Sequence, residues 1–196
     1  MNSLMLPKFS NGAAARQVWS KTVDIGGLLS IGEFNSAIGD EFAFAADIVL
    51  DQSARQTTIM CVPRDKVSWS EDAEHIYAIV KDGAIVKLGG TRCGMKPRFG
   101  SYLCGHHVIE RGKSGKMSVT NAYLYHSIER DLLETDAKWS FWTWKLPKVV
   151  HVAPILGVDT VIDVQTFHAY ESVVIQKYKS ITGAIPILCD NADPKY

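Results

Sequence analysis

Two short apolar runs around Asp82-Gly83 form the clearest pattern in the chain. The runs cover residues 76–80 and 84–88, and the second is interrupted by a single charged side chain, Lys87. Asp-Gly between two apolar runs is typical of the turn of a β-hairpin. The sequence therefore predicts two antiparallel strands between Ile76 and Gly89.

The register of this hairpin depends on the length of its loop. A two-residue loop pairs Lys81 with Ala84 and places Lys87 on an otherwise apolar face. A three-residue loop pairs Val80 with Ala84 and leaves one face wholly apolar, with Ile76, Ala78, Val80, Ala84, Val86 and Leu88. A one-residue slip moves every side chain to the other face, so the pattern favours the three-residue loop. This register makes Tyr77 and Lys87 direct neighbours on opposite strands.

The rest of the chain predicts a mixture of helices and strands. Helices are expected at residues 95–102, 121–134 and 164–179, and a strand at residues 139–146. In the first helix Pro97 suits the first turn, and Arg98 and Tyr102 share one side. Residues 42–50 form either a helix or a strand, because a short apolar run does not distinguish the two. The predicted fold is α+β, a small antiparallel β-sheet flanked by helices.

Two regions leave their role open. Residues 1–70 are interpreted as an N-terminal extension, for dimerisation or DNA recognition, before a domain that spans residues 71–196. The aromatic segment Trp139–Trp144 fits the core, a dimer interface or intercalation into DNA. Core packing is favoured, because burying aromatic rings needs no partner.

Composition excludes several classes of protein. The 196 residues are 46% hydrophobic and 21% charged, which is ordinary for a soluble globular chain and unlike a disordered or fibrous one. No apolar run approaches the roughly 20 residues that a membrane helix needs. The first ten residues lack the apolar stretch of a secretory signal. We therefore expect a cytoplasmic protein without a membrane partner.

The charges are unevenly distributed although the net charge is zero. Residues 81–117 carry eight basic and two acidic side chains, whereas both flanking segments are acidic on balance. Such a local excess can supply contacts to phosphate without a basic overall charge, although a solvated lysine-rich surface has the same composition.

The spacing of seven residues resembles a known nuclease motif. Ile76-Tyr77, nine further residues, Lys87-Leu88-Gly89, and then Arg98 and Tyr102 are similar to the GIY-YIG motif. More narrowly, the pattern resembles small type II restriction endonucleases in which a lysine replaces the first tyrosine of the second half-motif. His75 stands where the family has glycine, and Leu88 where it has isoleucine, a volume-conserving change. The resemblance covers residues 76–133 and resumes at 170–189, about half of the chain.

The resemblance implies a catalytic role for each of these residues. A phenol is a poor base unless a cation lies beside it, because its ordinary pKa is about 10. Lys87 would supply that cation to Tyr77, the expected base. Arg98 would bind the phosphate oxygens in a bidentate manner, and Tyr102 would donate a hydrogen bond to the same phosphate.

Glu171 is the expected ligand for Mg²⁺ or another divalent cation such as Mn²⁺. It lies among aromatic and β-branched residues, where a carboxylate is costly unless it binds something. Glu129 is the rival, although its charged neighbours suggest an ordinary helix surface. Candidate DNA contacts are Arg92, Lys96, His106, Lys113 and Lys116.

The function that the resemblance implies is cleavage of double-stranded DNA at a short specific sequence. One catalytic unit cuts one strand, so cutting both strands of a palindrome favours a homodimer. A structure-directed or mobile-element nuclease is one alternative, but such enzymes usually carry an additional DNA-binding module, which the sequence does not show. A DNA-binding protein without catalysis is the other.

Overall fold

The fold is a five-stranded antiparallel sheet with helices on both faces, followed by a separate hairpin. The structure is a computed structural model, and it describes residues 23–53, 57–107 and 119–189. The elements in chain order are α1 (Ile31–Ala37), β1 (Ala43–Leu50), β2 (Ile59–Pro63), α2 (Lys66–Ser70), β3 (His75–Lys81), β4 (Ala84–Thr91), α3 (Met95–Leu103), a 3₁₀ turn (Cys104–His107), α4 (Val119–Glu134), β5 (Trp139–Lys145), β6 (Val149–Ile155), β7 (Val158–Val164) and α5 (Phe167–Thr182).

The predicted α+β class is confirmed. The strand order is β2-β1-β5-β3-β4, so the hairpin predicted from Asp82-Gly83 forms one side of the sheet and β4 is an edge strand. The helices predicted at 95–102 and 121–134 and the strand at 139–146 are present within two residues of their expected bounds. Residues 43–50 form a strand, which resolves the ambiguity left by their short apolar run.

Each face of the sheet carries its own apolar core. On one face α3 and α4 pack through Phe99, Tyr102 and Leu124 against Tyr77 and Phe141. On the other face α1 and α5 pack against the opposite side of β3 and β4. Because both faces are covered, almost every side chain of the β3–β4 hairpin is buried, polar ones included.

The predicted register of the hairpin is wrong. The turn has two residues, Asp82 and Gly83, both with positive φ, and it pairs Lys81 with Ala84. A bulge at Val86 then shifts the pairing, so that Tyr77 lies opposite Gly89 and Lys87 lies opposite Ile79. The reasoning from one apolar face failed because both faces are buried, and alternation then carries no information about register.

The predicted N-terminal extension contributes two strands to the same sheet as the predicted domain. Strands β1 and β2 come from the predicted N-terminal extension, yet β1 pairs with β5 inside the same sheet. Ala46 and Ile48 are fully buried in the core that also contains Tyr77. The proposed roles of this region in dimerisation or DNA recognition stay predictions.

Residues 149–164 form a β-hairpin that the sequence reasoning did not predict. The expected helix 164–179 instead begins at Phe167, and Val164 closes β7. Strands β6 and β7 pair only with each other among the described residues, through a turn at Leu156-Gly157. In the described part of the chain, no helix is both long and apolar enough to cross a membrane.

Candidate active site

Three of the predicted catalytic side chains form one hydrogen-bonded cluster. The phenol oxygens of Tyr77 on β3 and Tyr102 on α3 lie 2.5 Å apart and share a hydrogen bond. Arg98, one helical turn before Tyr102, donates from Nε to Tyr77 at 2.9 Å and from Nη2 to Tyr102 at 3.0 Å. The predicted i, i+4 geometry of α3 is thus confirmed, and it directs both groups at the strand.

Aromatic packing fixes the orientation of this cluster. Phe141 on β5 lies next to both tyrosine rings, with centroids 6.0 Å from Tyr77 and 6.5 Å from Tyr102. The Arg98 guanidinium sits over the Tyr102 ring at 4.6 Å, a cation–π distance. Trp139 and Phe141 are buried in this core, so the preference for core packing of these two aromatic residues is confirmed.

The bulge at Val86 determines where Lys87 points. With the two-residue turn and no bulge, Lys87 would face away from Tyr77; the bulge returns it to the face of Tyr77 and Ile79. Lys87 is therefore diagonal to Tyr77. The sequence had predicted that the two residues lie directly opposite each other. Bulges beside active sites commonly redirect a side chain in this way. The Lys87 ammonium donates to the Leu188 carbonyl at 3.1 Å and is nearly buried.

Two glycines at the sheet edge let the functional groups approach the backbone. A Cβ on Gly89 would lie 2.5 Å from Tyr77 Cζ, and a Cβ on Gly90 would lie 3.1 Å from the carboxylate of Glu171. Gly89 and Gly90 face opposite sides of the sheet, because successive residues of a strand alternate. Tyr77 and Glu171 thus reach the same edge of the sheet from its two faces.

Helix α5 brings Glu171 to this edge. The Glu74 carboxylate accepts hydrogen bonds at 2.8 Å from the backbone N–H and from the hydroxyl of Thr166, the residue before α5. Glu171 lies one turn into the helix. Burial raises the pKa of Glu171, while the Gly90 N–H and the positive charges of Lys87 and Arg98 oppose that rise. The Glu171 carboxylate therefore interacts electrostatically with the positively charged side chains of Lys87 and Arg98.

The electrostatics distinguish the roles of Arg98 and Tyr102. Burial lowers the pKa of Arg98, but the two phenol oxygens raise it more, so its pKa lies above its usual range. Burial raises the pKa of Tyr102 well above normal, and the neighbouring oxygen of Tyr77 adds to this against the effect of Arg98. Arg98 stays a cation and Tyr102 stays a neutral phenol that can donate a hydrogen bond.

The rival carboxylate, Glu129, lies in a different setting. It is buried on α4, bonded to the Thr58 hydroxyl and 3.3 Å from His126 Nδ1, and Tyr125 contacts the same carboxylate. Burial, reinforced by the Glu129 charge, raises the pKa of Tyr125 to about 12. These contacts hold Glu129 between α4 and the residue that precedes β2. None of them involves the sheet edge at Gly90.

The chemistry of the candidate site fits a divalent cation that is held by the carboxylate of Glu171. In the described residues, no group of three or more His, Cys, Asp and Glu side chains could hold a metal by itself. Mg²⁺ is typically held by one or two carboxylates, with water and phosphate completing its shell. The single carboxylate at the Gly90 edge matches that requirement.

The predicted DNA contacts divide into described and undescribed residues. Arg92 and Lys96 are exposed, just after β4 and in the first turn of α3. Arg92 lines a cleft of about 550 Å³ beside the start of α5. His106 belongs to the 3₁₀ turn, but its side chain lies outside the described residues, as do Lys113 and Lys116 entirely.

Sequence reasoning missed the supporting residues of the site. These are the buried ring of Phe141, the close approach at Gly90, and the Leu188 carbonyl that holds Lys87. The pair Gly89-Gly90 within a strand was the one available signal, because glycine in a strand often marks close approach of another group. The contact with Leu188 spans 101 residues and has no local signature.

The chain shares its fold with a known endonuclease. No protein-family profile and no curated protein matches the sequence. The structure of restriction endonuclease HPY188I in complex with product DNA is similar, with a TM-score of 0.57 and 18% identity, over 97% of this chain and all of that one. A mutant of bacteriophage T4 EndoII is another neighbour, with a TM-score of 0.47 and 17% identity, over 76% of this chain and 94% of that one.

Proposed function

We propose that the protein is a metal-dependent endonuclease that hydrolyses phosphodiester bonds of double-stranded DNA at a short specific sequence. The observation that carries this proposal is the joint position of Tyr77, Arg98, Tyr102, Lys87 and Glu171 at one edge of the sheet. These residues are the ones by which the sequence resembles the GIY-YIG restriction endonucleases. The shared fold with HPY188I supports the same assignment.

In the proposed reaction Tyr77 is the general base. Its phenolate takes a proton from water, whose oxygen attacks the phosphorus as the bond to the leaving oxygen breaks. Arg98 Nε donates a hydrogen bond to the oxygen of Tyr77 and so fixes its position. Lys87 lies on the same face of the sheet, diagonal to Tyr77.

Arg98 and Tyr102 stabilise the charge that develops on the phosphate. A guanidinium that is always protonated suits a dianionic transition state, and its planar donors match two phosphate oxygens. Tyr102 donates its proton in a hydrogen bond without losing it, consistent with its raised pKa. Substrate would replace the hydrogen bonds that now join these side chains to one another.

Glu171 would hold the divalent cation, Mg²⁺ or Mn²⁺. The cation would supply positive charge beside the leaving oxygen. Glu171 must be ionised to bind it, and the positive charges of Lys87 and Arg98 oppose the rise in its pKa that burial causes.

The partner is double-stranded DNA, and the active form is a homodimer. Exposed Arg92 and Lys96, after β4 and in the first turn of α3, would contact the DNA backbone together with His106, Lys113 and Lys116. Contacts of this kind position DNA without reading its sequence. Two catalytic units are needed to cut both strands of a palindromic site.

A digest of unmethylated duplex DNA of phage length tests the proposal. Discrete fragments in Mg²⁺ that are absent in EDTA are the expected result, and the sequences of their ends define the recognition site. A smear would contradict sequence specificity and favour a structure-directed or nonspecific nuclease. Tight binding with intact DNA in both Mg²⁺ and Mn²⁺ would contradict the assignment as an enzyme.

A further inference from the structure

The β6–β7 hairpin exposes apolar side chains on both of its faces. Its large exposed hydrophobic residues are Val149, Val150, Val152, Ile155, Leu156, Val158, Val161, Ile162 and Val164. Their exposed fractions range from 38% for Ile162 to 100% for Leu156. A two-stranded hairpin is at best marginally stable by itself in water, because it buries little surface. The pattern therefore indicates a partner rather than a solvated strand pair.

The charges of this hairpin do not fit DNA. Residues 148–164 contain one lysine, one histidine and two aspartates, and Lys148 is paired with Asp163 at 3.0 Å. A surface that binds phosphate needs an excess of cations. The surface is instead apolar with a few charges of both signs, which fits another protein.

The exposed area matches one half of a stable interface. A whole Val, Leu or Ile side chain exposes on the order of 100 Å² of apolar surface, so the nine together expose roughly 500 Å². An ordinary specific interface buries about 800 Å² from each partner, of which a little over half is apolar. The hairpin supplies that amount when both of its faces are covered, because five of the nine side chains lie on one face, three lie on the other and Leu156 lies in the turn.

We propose that the β6–β7 hairpin is the dimerisation arm of this protein and that its occupant is a second copy of the same chain. A twofold interface uses the same patch on both subunits, so the patch must not repel itself. The hairpin meets this condition, because it carries Lys148 beside Asp159 and Asp163. The choice of a second copy rests on the proposed function, which requires two catalytic units.

The arm is joined directly to the candidate site. Strand β7 ends at Val164, two residues before Thr166, where Glu74 anchors the start of the helix that carries Glu171. Dimerisation would therefore stabilise the segment that leads into α5. This connection extends the role of the arm from assembly to support of the catalytic carboxylate.

Sedimentation of the full chain and of matched variants tests the arm. Val152 and Val161 are cross-strand partners, so Val152→Lys with Val161→Glu makes this position polar while an opposite-charge pair supports the hairpin. Leu156→Asn is a second variant, because both turn residues have positive φ and Asn-Gly favours that turn. Val67→Lys, at an 80% exposed position on α2, is the control.

We expect the unaltered chain and the control to sediment at twice 21.7 kDa, and the double variant at 21.7 kDa. Leu156→Asn should raise the dimer dissociation constant at least about tenfold. Circular dichroism should show the same secondary structure for all variants as for the unaltered chain. A monomeric unaltered chain, or two hairpin variants that dimerise as tightly as the control, would overturn the proposal. Loss of DNA affinity in variants that remain dimeric would also overturn it, and would assign the hairpin to DNA.

These outcomes separate the arm from the proposed function. If the chain dimerises through the hairpin but never cleaves DNA, the nuclease assignment fails and the arm stands. If the chain cleaves both strands as a monomer, the arm fails and the nuclease assignment stands.

Discussion

At the scale of residues, one guanidinium organises the candidate site. Arg98 donates hydrogen bonds to the oxygens of both Tyr77 and Tyr102, and the two hydroxyl groups also share a hydrogen bond. The sequence resemblance named all three residues as candidates, because their spacing on a strand and a helix is local. It could not identify how Lys87 is held, since the Leu188 carbonyl that binds it is remote in sequence.

Arg98→Lys should lower the single-turnover rate constant of DNA cleavage about 100-fold to 1,000-fold, the usual effect of removing one preorganised donor from a developing anion. Lysine keeps the charge but not the two-pronged geometry that bonds both phenols. The measurement is single-turnover cleavage of a duplex that contains the recognised sequence. Arg64→Lys, an exposed arginine after β2, is the control and should cleave at the original rate. An Arg98→Lys rate within a factor of two of the original would contradict this role.

Glu171→Gln should make the metal-free protein more stable at neutral pH. Burial raises the folded-state pKa of Glu171, so its ionised form costs native stability above that pKa. The cost disappears as the pH falls below the unfolded-state pKa, where the carboxyl is protonated in both states. Urea unfolding at neutral and at acid pH should therefore show a gain for Glu171→Gln that shrinks on acidification.

The same variant should lose Mg²⁺-dependent cleavage, whereas Glu129→Gln should retain metal binding. Cleavage by the original protein should fall as the pH falls through the raised pKa of Glu171, because only the carboxylate binds the cation. Isothermal titration with Mn²⁺ measures the affinities. Loss of metal binding in Glu129→Gln but not in Glu171→Gln would show that the carboxylate was wrongly chosen.

At the scale of elements, the hairpin shows where sequence reasoning stops. The Asp82-Gly83 turn and both strands were predictable, because turn chemistry is local. The bulge at Val86 was not, because burial on both faces removes the alternation from which register is inferred. The β6–β7 hairpin was missed for a related reason: its apolar residues lie on both faces, so they do not alternate as in a strand that is buried on one side.

The sheet edge should tolerate no side chain at Gly90. A Cβ there would lie 2.7 Å from the Phe167 ring and 3.1 Å from Glu171, so Gly90→Ala must displace the start of α5. We expect a loss of about 1–3 kcal/mol in unfolding free energy, together with loss of cleavage. Gly100→Ala is the matched control, because no atom beyond the adjacent residues and the backbone of α3 lies within 4 Å of its Cβ position, and it should gain about 1 kcal/mol. Equal unfolding free energies for the two variants would contradict the close approach.

At the scale of the whole molecule, the sheet joins segments that the sequence reasoning had separated. Strand β5 is paired on one side with β3 and on the other with β1, which belongs to the predicted extension. Long-range pairings of this kind are not visible in a local pattern, because the partners are 58 to 100 residues apart. The class of fold was nevertheless predictable from the mixture of helical and strand patterns.

A fragment of residues 71–196 should not fold cooperatively. It would expose the β5 edge and remove Ala46, Ile48 and Ile59 from the core that surrounds Tyr77. Thermal unfolding followed by circular dichroism should show a single transition for the full chain and none for the fragment. A fragment with a sharp transition would restore the boundary at residue 70.

Removing one oxygen atom tests whether Tyr77 is the general base. Tyr77→Phe and Tyr178→Phe each delete a buried phenol hydroxyl, but Tyr178 lies on the opposite face of the sheet, 3.5 Å from the Ile85 carbonyl. In Mg²⁺, we expect Tyr178→Phe to cut duplex DNA into the same discrete fragments as the original protein, and Tyr77→Phe to cut at least about 100-fold more slowly. Equal cleavage by Tyr77→Phe would contradict its role as general base, and with it the proposed catalytic site.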